Sequence, residues 1–299
     1  MNPRGHPPRA ASALLALACA LFAAAGVRAQ GGGDVVFVPT PPEAVEAMLS
    51  LARVGPGDYL IDLGSGDGRL VIAAAKKGAR ALGVDLDPEL LRAARESAAK
   101  AGQGERAKFA ERNLFEQDLT RASVVTMYLL PELNLKLRPL LLAQLKPGAR
   151  VVAHDFHMGD WFPDRTLTVE APGKTVGTTG VSQIYLWIVP APVAGRWQVS
   201  LAGRERAAEL TLVQRYQHIG GTWKEGGATH PLANARLSGD RLEFDVPASD
   251  ARADGKARHF SGRVAGEGIT GTLGVAGARD GTAAQRWGAM RVTKAGETK

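Results

Sequence analysis

One stretch of the sequence constrains the fold more than any other: Asp58-Tyr-Leu-Ile-Asp-Leu-Gly-Ser-Gly-Asp-Gly-Arg69. Its apolar run, residues 59–63, predicts a buried β-strand, and Asp62 lies near the carboxyl end of that strand. Three glycines follow at every second position, which predicts a tight turn where bare backbone approaches a ligand. Residues 69–77 then predict a helix with one apolar face. A strand, a glycine turn and a helix N-terminus in this order predict a nucleotide-type pocket at the end of the strand.

The register of the glycines decides between two kinds of nucleotide site. A dinucleotide-binding turn has the pattern Gly-x-Gly-x-x-Gly, whose last glycine packs the helix on the strand. Here that last position is Arg69, and the pattern is Asp-x-Gly-x-Gly-x-Gly instead. This pattern resembles the first motif of class I S-adenosylmethionine (SAM) methyltransferases, whose loop makes room for the methionine and ribose of SAM. The second predicted strand, residues 81–84, ends at Asp85, where a carboxylate can accept hydrogen bonds from both ribose hydroxyls.

The resemblance implies a SAM site built from nine residues. They lie in the glycine turn, after the second strand and in the turn after the third strand: Asp62, Gly64, Ser65, Gly66, Gly68, Asp85, Leu86, Asn113 and Leu114. In class I methyltransferases the last of these turns usually carries an aspartate that accepts the adenine amino proton. The asparagine in this sequence keeps an amide oxygen, so it can accept the same hydrogen bond without the charge.

The rest of the first half predicts an α/β fold with a Rossmann-like, seven-strand methyltransferase sheet. The remaining strands are predicted at residues 107–111, 124–130, 149–153, 166–170 and 183–189. Helices are predicted at residues 43–53 and 87–101, and a pair of helices separated by Pro139 is predicted within residues 133–145. The proline-rich segment 34–42 is predicted to be extended. Together with the helix after it, this segment is expected either to cover the cofactor or to pack against the edge of the sheet.

Methyl transfer is an in-line displacement, so the protein accelerates it mainly by fixing the acceptor lone pair against the methyl carbon. An amine acceptor must be neutral, which favours a partly desolvated site with a hydrogen-bond acceptor. Such residues are expected where the fourth and fifth strands end. Tyr128 and Asp155 are the predicted catalytic residues, although a packing tyrosine and a turn-capping aspartate are the alternatives. In an extended segment the neighbouring His154 and His157 point apart, so no metal site is predicted.

Four further sequence segments point to one group within the class I methyltransferases. They are Val38-Pro-Thr-Pro41, Asn113-Leu-Phe115, Tyr128-Leu-Leu-Pro131 and His154-Asp-Phe-His-Met-Gly-Asp-Trp161. They are similar to a bacterial group related to the mitochondrial protein-lysine methyltransferases of the ATP synthase c-subunit and the adenine nucleotide translocase. The resemblance covers residues 34–190 and implies a methyl acceptor that is a protein lysine or a small amine. Two alternatives stay open: an exported SAM-binding or ligand-binding protein without catalysis, and a small-molecule or lipid amine methyltransferase.

The charge distribution argues against a nucleic acid partner. The chain carries a net charge of +7, but residues 30–190 hold 18 basic and 19 acidic residues. The half that carries the motifs is therefore close to neutral, whereas a nucleic-acid-binding surface needs an excess of positive charge. The Asn/Asp-Pro-Pro-aromatic tetrapeptide of nucleic acid amino-methyltransferases is also absent, and Tyr128-Leu-Leu-Pro131 takes its place.

The second half, residues 191–299, changes to short alternating strands separated by glycine. Six strands are predicted, at residues 197–201, 209–219, 241–246, 259–264, 268–273 and 286–292. They indicate a small all-β accessory domain, either a barrel or a sandwich. Its Trp197, Trp223 and Trp287 are expected in the core rather than in a ligand site.

Residues 1–29 have the composition of an export signal, with Arg4 and Arg9 before an apolar run at residues 10–25. This predicts export to the periplasm or cell envelope. An uncleaved anchor that keeps the protein near the membrane, or a misassigned start and a cytoplasmic protein, are the alternatives. Cys19 is the only cysteine, so a cleaved protein would have neither disulfides nor thiolate chemistry. The predicted organisation is thus a signal at 1–29, a methyltransferase domain at 30–190 and a β-domain at 191–299, with no indication of an oligomeric state.

Overall fold

The structure is a computed structural model that describes residues 37–174, 176–201, 204–247, 256–276 and 285–292. The predicted export signal lies outside the described residues. Among the helices that the structure does describe, none is long and apolar enough to cross a membrane.

The first part of the described chain alternates helices and strands. The helices are α1 Pro42–Leu51, α2 Arg69–Lys76, α3 Pro88–Lys100 and α4 Pro131–Gln144. The strands are β1 Tyr59–Leu63, β2 Arg80–Asp85, β3 Ala107–Glu111, β4 Val124–Met127, β5 Arg150–His154, β6 Arg165–Ala171 and β7 Gly180–Ile188. These seven strands form one sheet in the order β3-β2-β1-β4-β5-β7-β6, which confirms the predicted methyltransferase sheet.

The order of the strands places a crevice between β1 and β4. Strands β1 to β5 run parallel, and β7 runs antiparallel between β5 and β6. The chain moves outward from β1 to β3 and then returns to the other side of β1 with β4. Ligands bind outside the carboxyl ends of parallel strands at such a reversal. The residues after β1, β2, β4 and β5 therefore share one edge of the sheet.

The centre of this sheet is buried on both faces. All four residues of β4 are buried, as expected for a strand that is covered by helices on both sides. The helices α1 and α2 pack with Leu60, Val124 and Val152 on one face. On the other face α4 packs with Ile61 and Val125. A sheet held in this way gives a rigid edge on which to place side chains.

The prediction of two helices around Pro139 is wrong. Helix α4 runs without interruption from Pro131 to Gln144 and contains Pro139. Pro139 lies on the exposed side of the helix. The residue one turn earlier, Leu135, is 43% exposed, so water can reach the carbonyl that loses its hydrogen bond to the missing proline N–H.

The second part of the described chain forms a nine-stranded antiparallel sheet. Its strands are β8 Gly195–Leu201, β9 Arg204–Arg215, β10 His218–Glu225, β11 Ala228–Pro231, β12 Ala233–Ser238, β13 Arg241–Val246, β14 Arg258–Ala265, β15 Gly268–Val275 and β16 Gln285–Arg291. The order is β11-β10-β9-β8-β16-β15-β14-β13-β12, and the sheet curls until β10 lies beside β12. The accessory domain is therefore a nearly closed barrel. The predicted strand at 209–219 is wrong, because Tyr216 and Gln217 make a tight turn between β9 and β10.

The interior of the curled sheet is filled with aromatic rings. Trp197, Trp223 and Trp287 are all at least 96% buried, which confirms their predicted place in the core. Phe244 and Phe260 stack on each other with ring centroids 4.9 Å apart. Large aromatic side chains of this kind supply most of the apolar area that a small sheet can bury.

The β9–β10 turn, Tyr216 and Gln217, holds the loop that follows β5. The Trp161 indole N–H donates to Gln217 Oε1 over 3.0 Å, and Gln217 Nε2 donates to the carbonyl of Phe162 over 2.7 Å. The Tyr216 ring stacks on Trp161 with centroids 5.8 Å apart. Beside this turn, the Arg215 guanidinium lies 2.6 Å from Asp160. The nine-stranded sheet therefore supports a loop at the ligand-binding edge of the seven-stranded sheet.

Candidate SAM and acceptor site

The glycine turn after β1 adopts a backbone that only glycine enters easily. Gly64, Gly66 and Gly68 have φ values of +79°, +52° and +77°. At Gly68 an added Cβ would lie 2.6 Å from the Phe109 ring and 2.8 Å from Ala94, so a side chain there would also separate α2 and α3 from the sheet. The turn therefore brings backbone, without side chains, to the crevice.

Asp62 lies below this turn, where ionisation of its carboxyl group is unfavourable because the side chain is buried. Its carboxylate is buried and accepts a 2.7 Å hydrogen bond from Thr126 Oγ1 on the neighbouring strand. Burial raises the pKa of Asp62 to about 7; the Thr126 hydrogen bond opposes this, and the nearby charges of Asp85 and Asp67 add to it. A positively charged ligand beside Asp62 would relieve this repulsion, because an opposite charge favours the ionised carboxylate.

Asp85 lies at the end of β2 and is held by three backbone amides. Its Oδ2 accepts from Gly66 N over 2.8 Å, and its Oδ1 accepts from Leu86 N and Asp87 N over 2.8 and 3.1 Å. A carboxylate has about four lone-pair positions, so one position remains for a ribose hydroxyl. The Leu86 side chain beside it is 54% exposed, so it provides apolar surface at the edge of the site.

The other predicted cofactor residues have local partners. Asn113 Oδ1 accepts from Phe115 N over 3.0 Å and caps the short 3-10 helix Leu114–Glu116. One lone pair of that oxygen and the amide N–H groups remain for a ligand. The Leu114 side chain is half-buried and packs on the core. Ser65 Oγ is buried beneath the turn, next to Gly83, and has no hydrogen-bond partner among the described residues.

Phe37 lies directly on the glycine turn. A Cβ built on Gly66 would be 2.1 Å from the Phe37 ring. The extended segment that contains Phe37 is also held at Thr40, whose carbonyl accepts a 2.9 Å hydrogen bond from Arg69 Nη1. Helix α1 packs on the sheet at β5, β6 and β7. The expected packing of the helix against the sheet is therefore confirmed, and Phe37, five positions before the helix, lies on the glycine turn.

A second group of polar side chains lies after β4 and β5. Tyr128 Oη donates to Asp155 Oδ2 over 3.3 Å, so the two predicted catalytic residues are in contact. Asp155 has a φ of +61°, which is uncommon for a residue other than glycine. Its main-chain N–H donates to the carbonyl of Gln183, and its Oδ1 accepts from the N–H of the same residue. Strand β7 thus fixes the direction of the Asp155 carboxylate.

Lys174 also belongs to this group, and the sequence did not predict its role. Its Nζ lies 2.6 Å from Asp155 Oδ2 and 2.5 Å from the carbonyl of Val181, and its side chain is only 3% exposed. The sequence Pro-Gly-Lys between β6 and β7 is typical of a solvated turn, so no signal in it marks a buried ammonium group. The pairing becomes visible only when the loop folds over the end of β5.

His154 and Tyr128 are both neutral at physiological pH in this environment. Burial lowers the pKa of His154 to about 4, with a further lowering by Lys174 and an opposing effect of Asp155. Its Nε2 is 2.8 Å from Ser182 Oγ, and its Nδ1 has no hydrogen-bond partner among the described residues. Burial and the Asp155 carboxylate raise the pKa of Tyr128 to about 12. The charges of the group are therefore those of Asp155 and Lys174.

No metal site accompanies these residues in the described part of the chain, where no three His, Cys, Asp or Glu side chains gather. An open cavity of about 420 Å³ is lined by Tyr59, Arg80 and Arg106, among others. It lies where β1, β2 and β3 begin, at the opposite edge of the sheet from the glycine turn.

Comparison with known proteins agrees with this geometry. Residues 62–165 match a family model described as the ANTKMT methyltransferase domain. A protein-lysine N-methyltransferase from Saccharolobus islandicus is 44% identical over 138 residues, which are 46% of this chain and 86% of the relative. The chain belongs to this family of SAM-dependent methyltransferases.

Two further matches show how far the similarity extends. The human lysine N-methyltransferase of the ATP synthase c-subunit is 38% identical over 43% of this chain and 54% of its own length, so the chain spans about half of that relative. A crystal structure of an RNA methyltransferase from Salinibacter ruber in complex with S-adenosyl-L-homocysteine also matches. The alignment covers 52% of this chain and 96% of that protein, with 47% sequence identity and a TM-score of 0.47.

The residues of the methyltransferase fit its cofactor, SAM. SAM supplies an electrophilic methyl group on a positively charged sulfur. The negative charge around Asp62 and Asp85 suits that cation, and one lone pair of Asp85 remains for a ribose hydroxyl. The glycine turn brings backbone without side chains to the same edge of the sheet. These residues would hold and orient the cofactor, and Tyr128 and Asp155 lie at the neighbouring strand ends.

Proposed function

We propose that this methyltransferase methylates the side-chain amine of a lysine in another protein. The observation that carries the proposal is that the predicted acceptor site already holds a primary ammonium group. Lys174 Nζ contacts a carboxylate oxygen of Asp155 and a main-chain carbonyl. Oxygen atoms that surround one ammonium group in this way can also accept hydrogen bonds from the amine of an incoming lysine beside Lys174. The lysine acceptors named for the relatives from Saccharolobus islandicus and human support the same substrate class.

In the proposed reaction Asp155 and Tyr128 would position the acceptor amine, whose surplus proton goes to water. Bound SAM would supply the methyl group to the neutral nitrogen, with S-adenosylhomocysteine as the leaving group that keeps the electron pair of the broken S–C bond. The alkylated nitrogen then releases a proton to water. Tyr128 remains protonated and directs its hydroxyl at Asp155. This arrangement requires no covalent intermediate and no metal ion, since the reaction is governed by orientation.

A methyl-transfer assay tests the proposal. The purified protein is incubated with SAM carrying a labelled methyl group and a cell-envelope protein extract, and labelled peptides are sequenced by mass spectrometry. We expect the label on lysine side chains, and a loss of about 100-fold or more for Asp155→Asn, because positioning effects have this size. RNA, lipid amines and small amines are offered in parallel. Label in one of those acceptors and not in protein would refute the lysine proposal, and SAM binding without transfer to anything would favour the binding-only alternative.

The nine-stranded sheet is proposed to have a supporting role. In its described part the interior is filled by the rings of Trp197, Trp223 and Trp287, and this counts against an apolar ligand inside it. The β9–β10 turn instead contacts the loop after β5. A division of the chain near residue 190 into a catalytic and an accessory domain remains part of the proposal.

We also propose that the protein works outside the cytoplasm, in the periplasm or cell envelope. Its support is the arginine-flanked apolar run within residues 1–29. SAM is made in the cytoplasm, so export requires a route for the cofactor. Cell fractionation with an antibody against the β-domain tests the location, and recovery of the full-length chain in the cytoplasm alone would refute it.

A further inference from the structure

The loop between β6 and β7 places a cation where the predicted reaction needs a neutral amine. Lys174 is buried, and the two oxygens that it contacts, from Asp155 and Val181, lie at the acceptor edge of the sheet. A buried ion pair is not an efficient way to stabilise a fold, since apolar side chains of similar size do so without the desolvation penalty. Asp155 also has a positive φ, which is uncommon for a residue other than glycine. This combination is typical of a functional site.

The charges around Asp155 explain what the cation can do. Among the described residues, the titratable groups that contact the carboxylate are Tyr128 after β4, His154 on β5 and Lys174 from the loop; β7 contributes the uncharged Ser182 and Gln183. Tyr128 and His154 are neutral, so Lys174 is the positive charge of this group that balances Asp155. Without it, the carboxylate would hold an incoming lysine as an ammonium ion, which has no lone pair for attack.

We propose that Lys174 is a positioning residue that neutralises Asp155, so that the acceptor lysine loses its proton and enters the reaction as a free amine. The inference rests on the proposed function and adds to it the control of the acceptor's protonation. A fixed cation near the acceptor nitrogen repels the ammonium form and has no such effect on the neutral amine. Such a field favours the neutral amine, as it does for other lysines beside a cation.

The central experiment compares pH profiles of kcat, which reports ionisations in the enzyme–substrate complex, for methyl transfer to a lysine peptide identified in the acceptor assay. At pH 7 we expect Lys174→Met to lower kcat by about 10- to 100-fold, because the neutral fraction of the bound amine falls tenfold for each unit of pKa. The deficit should close as the pH approaches 10. Lys174→Arg keeps the charge and should retain the wild-type profile. Lys146→Met removes an exposed lysine and serves as the matched control.

Chemical rescue separates charge from packing. Lys174→Ala removes three carbons and the ammonium group, which n-propylammonium can replace. We expect n-propylammonium to restore activity and n-propanol, which has a similar shape and no charge, to leave it unchanged. SAM affinity, measured by calorimetry, should be the same in all Lys174 variants, because the predicted cofactor residues lie at the ends of β1, β2 and β3.

A readout without turnover distinguishes this inference from the proposed function. Lys174 lowers the pKa of His154, and Asp155 raises it. In Lys174→Met the NMR titration of His154 should therefore move to higher pH, whereas Lys174→Arg should leave it in place. An unchanged His154 titration, or a reduced activity whose pH profile still superimposes on that of the wild type, would overturn the role of Lys174. Absence of transfer by the wild type to every acceptor would refute the proposed function and this inference with it, whereas lysine transfer with an unshifted pH profile in Lys174→Met would overturn the role of Lys174 alone.

Discussion

The buried charge of Asp62 leads to a prediction in which a binding residue lowers the stability of the cofactor-free protein. Folding raises the pKa of Asp62 from 3.8 to about 7, chiefly through burial. Between these two pH values the folded protein binds a proton that the unfolded chain has released, so this group lowers stability as the pH rises. The shift corresponds to about 4 kcal/mol as an upper limit, at 1.36 kcal/mol for each pKa unit. Asp62→Asn removes this penalty and keeps an oxygen for the Thr126 hydroxyl.

We therefore expect Asp62→Asn to be more stable than the wild type at pH 8, by about 2 to 4 kcal/mol, and nearly equal to it at pH 4. The assay is urea unfolding of the cofactor-free proteins at pH 4, 6 and 8, followed by tryptophan fluorescence. His154 has the opposite effect, because its lowered pKa makes stability fall as the pH drops from 6.5 to about 4. The contribution of Asp62 is therefore obtained from the difference in the free energy of unfolding between the wild type and Asp62→Asn at each pH.

The same substitution should weaken SAM binding, since the carboxylate that attracts the cation is gone. An Asp62→Asn protein that is less stable than the wild type at pH 8, or whose difference from the wild type does not change with pH, would refute the electrostatic reasoning. Thr126→Val provides the complementary control. It leaves the carboxylate buried without its 2.7 Å hydrogen bond and should lower stability at pH 8 by about 1.5 to 3 kcal/mol.

Three further predictions concern the cofactor and the supporting turn. Asp85→Ala should weaken SAM binding by about 10- to 100-fold in calorimetry, because one hydrogen bond to a charged group is worth about 1.5 to 3 kcal/mol; Glu89→Ala, one turn further along, should have no effect. Phe37→Ala should speed SAM dissociation by about 5- to 10-fold in stopped-flow measurements, since burial of part of a phenyl ring is worth about 1 to 1.5 kcal/mol, and an unchanged rate would show that Phe37 does not cover the cofactor. Gln217→Ala should lower the free energy of unfolding by about 1 to 3 kcal/mol, because the buried Trp161 N–H loses its partner, and should reduce methyl transfer more than SAM binding.

Local patterns predicted most of the seven-stranded sheet because short-range chemistry determines its elements. Asp87 caps α3 by accepting from the amides of Glu89 and Leu90, as the sequence Asp-Pro indicated. The glycine turn has the positive φ angles that its spacing implied. The cofactor residues follow from the order of strands, because the carboxyl ends of parallel strands meet at one edge.

The rest depended on contacts that no local pattern contains. A proline is compatible with a continuous helix when the lost hydrogen bond faces water, and only the packing of α4 shows that Pro139 does so. The turn at Tyr216 and Gln217 carries no glycine or proline, so residues 209–219 resembled one strand. Lys174 pairs with a carboxylate 19 positions earlier through a loop whose fold is set by β6 and β7.

The contact between the β9–β10 turn and the loop after β5 bears on how such a chain can be rearranged in evolution. The loop contains Trp161, which is fully buried, although its indole nitrogen is satisfied by a residue more than fifty positions later. Loss or exchange of the second half would remove both Gln217 hydrogen bonds and the ring of Tyr216, and would expose Trp161. The loop after β5 therefore depends on residues of the second sheet for its conformation.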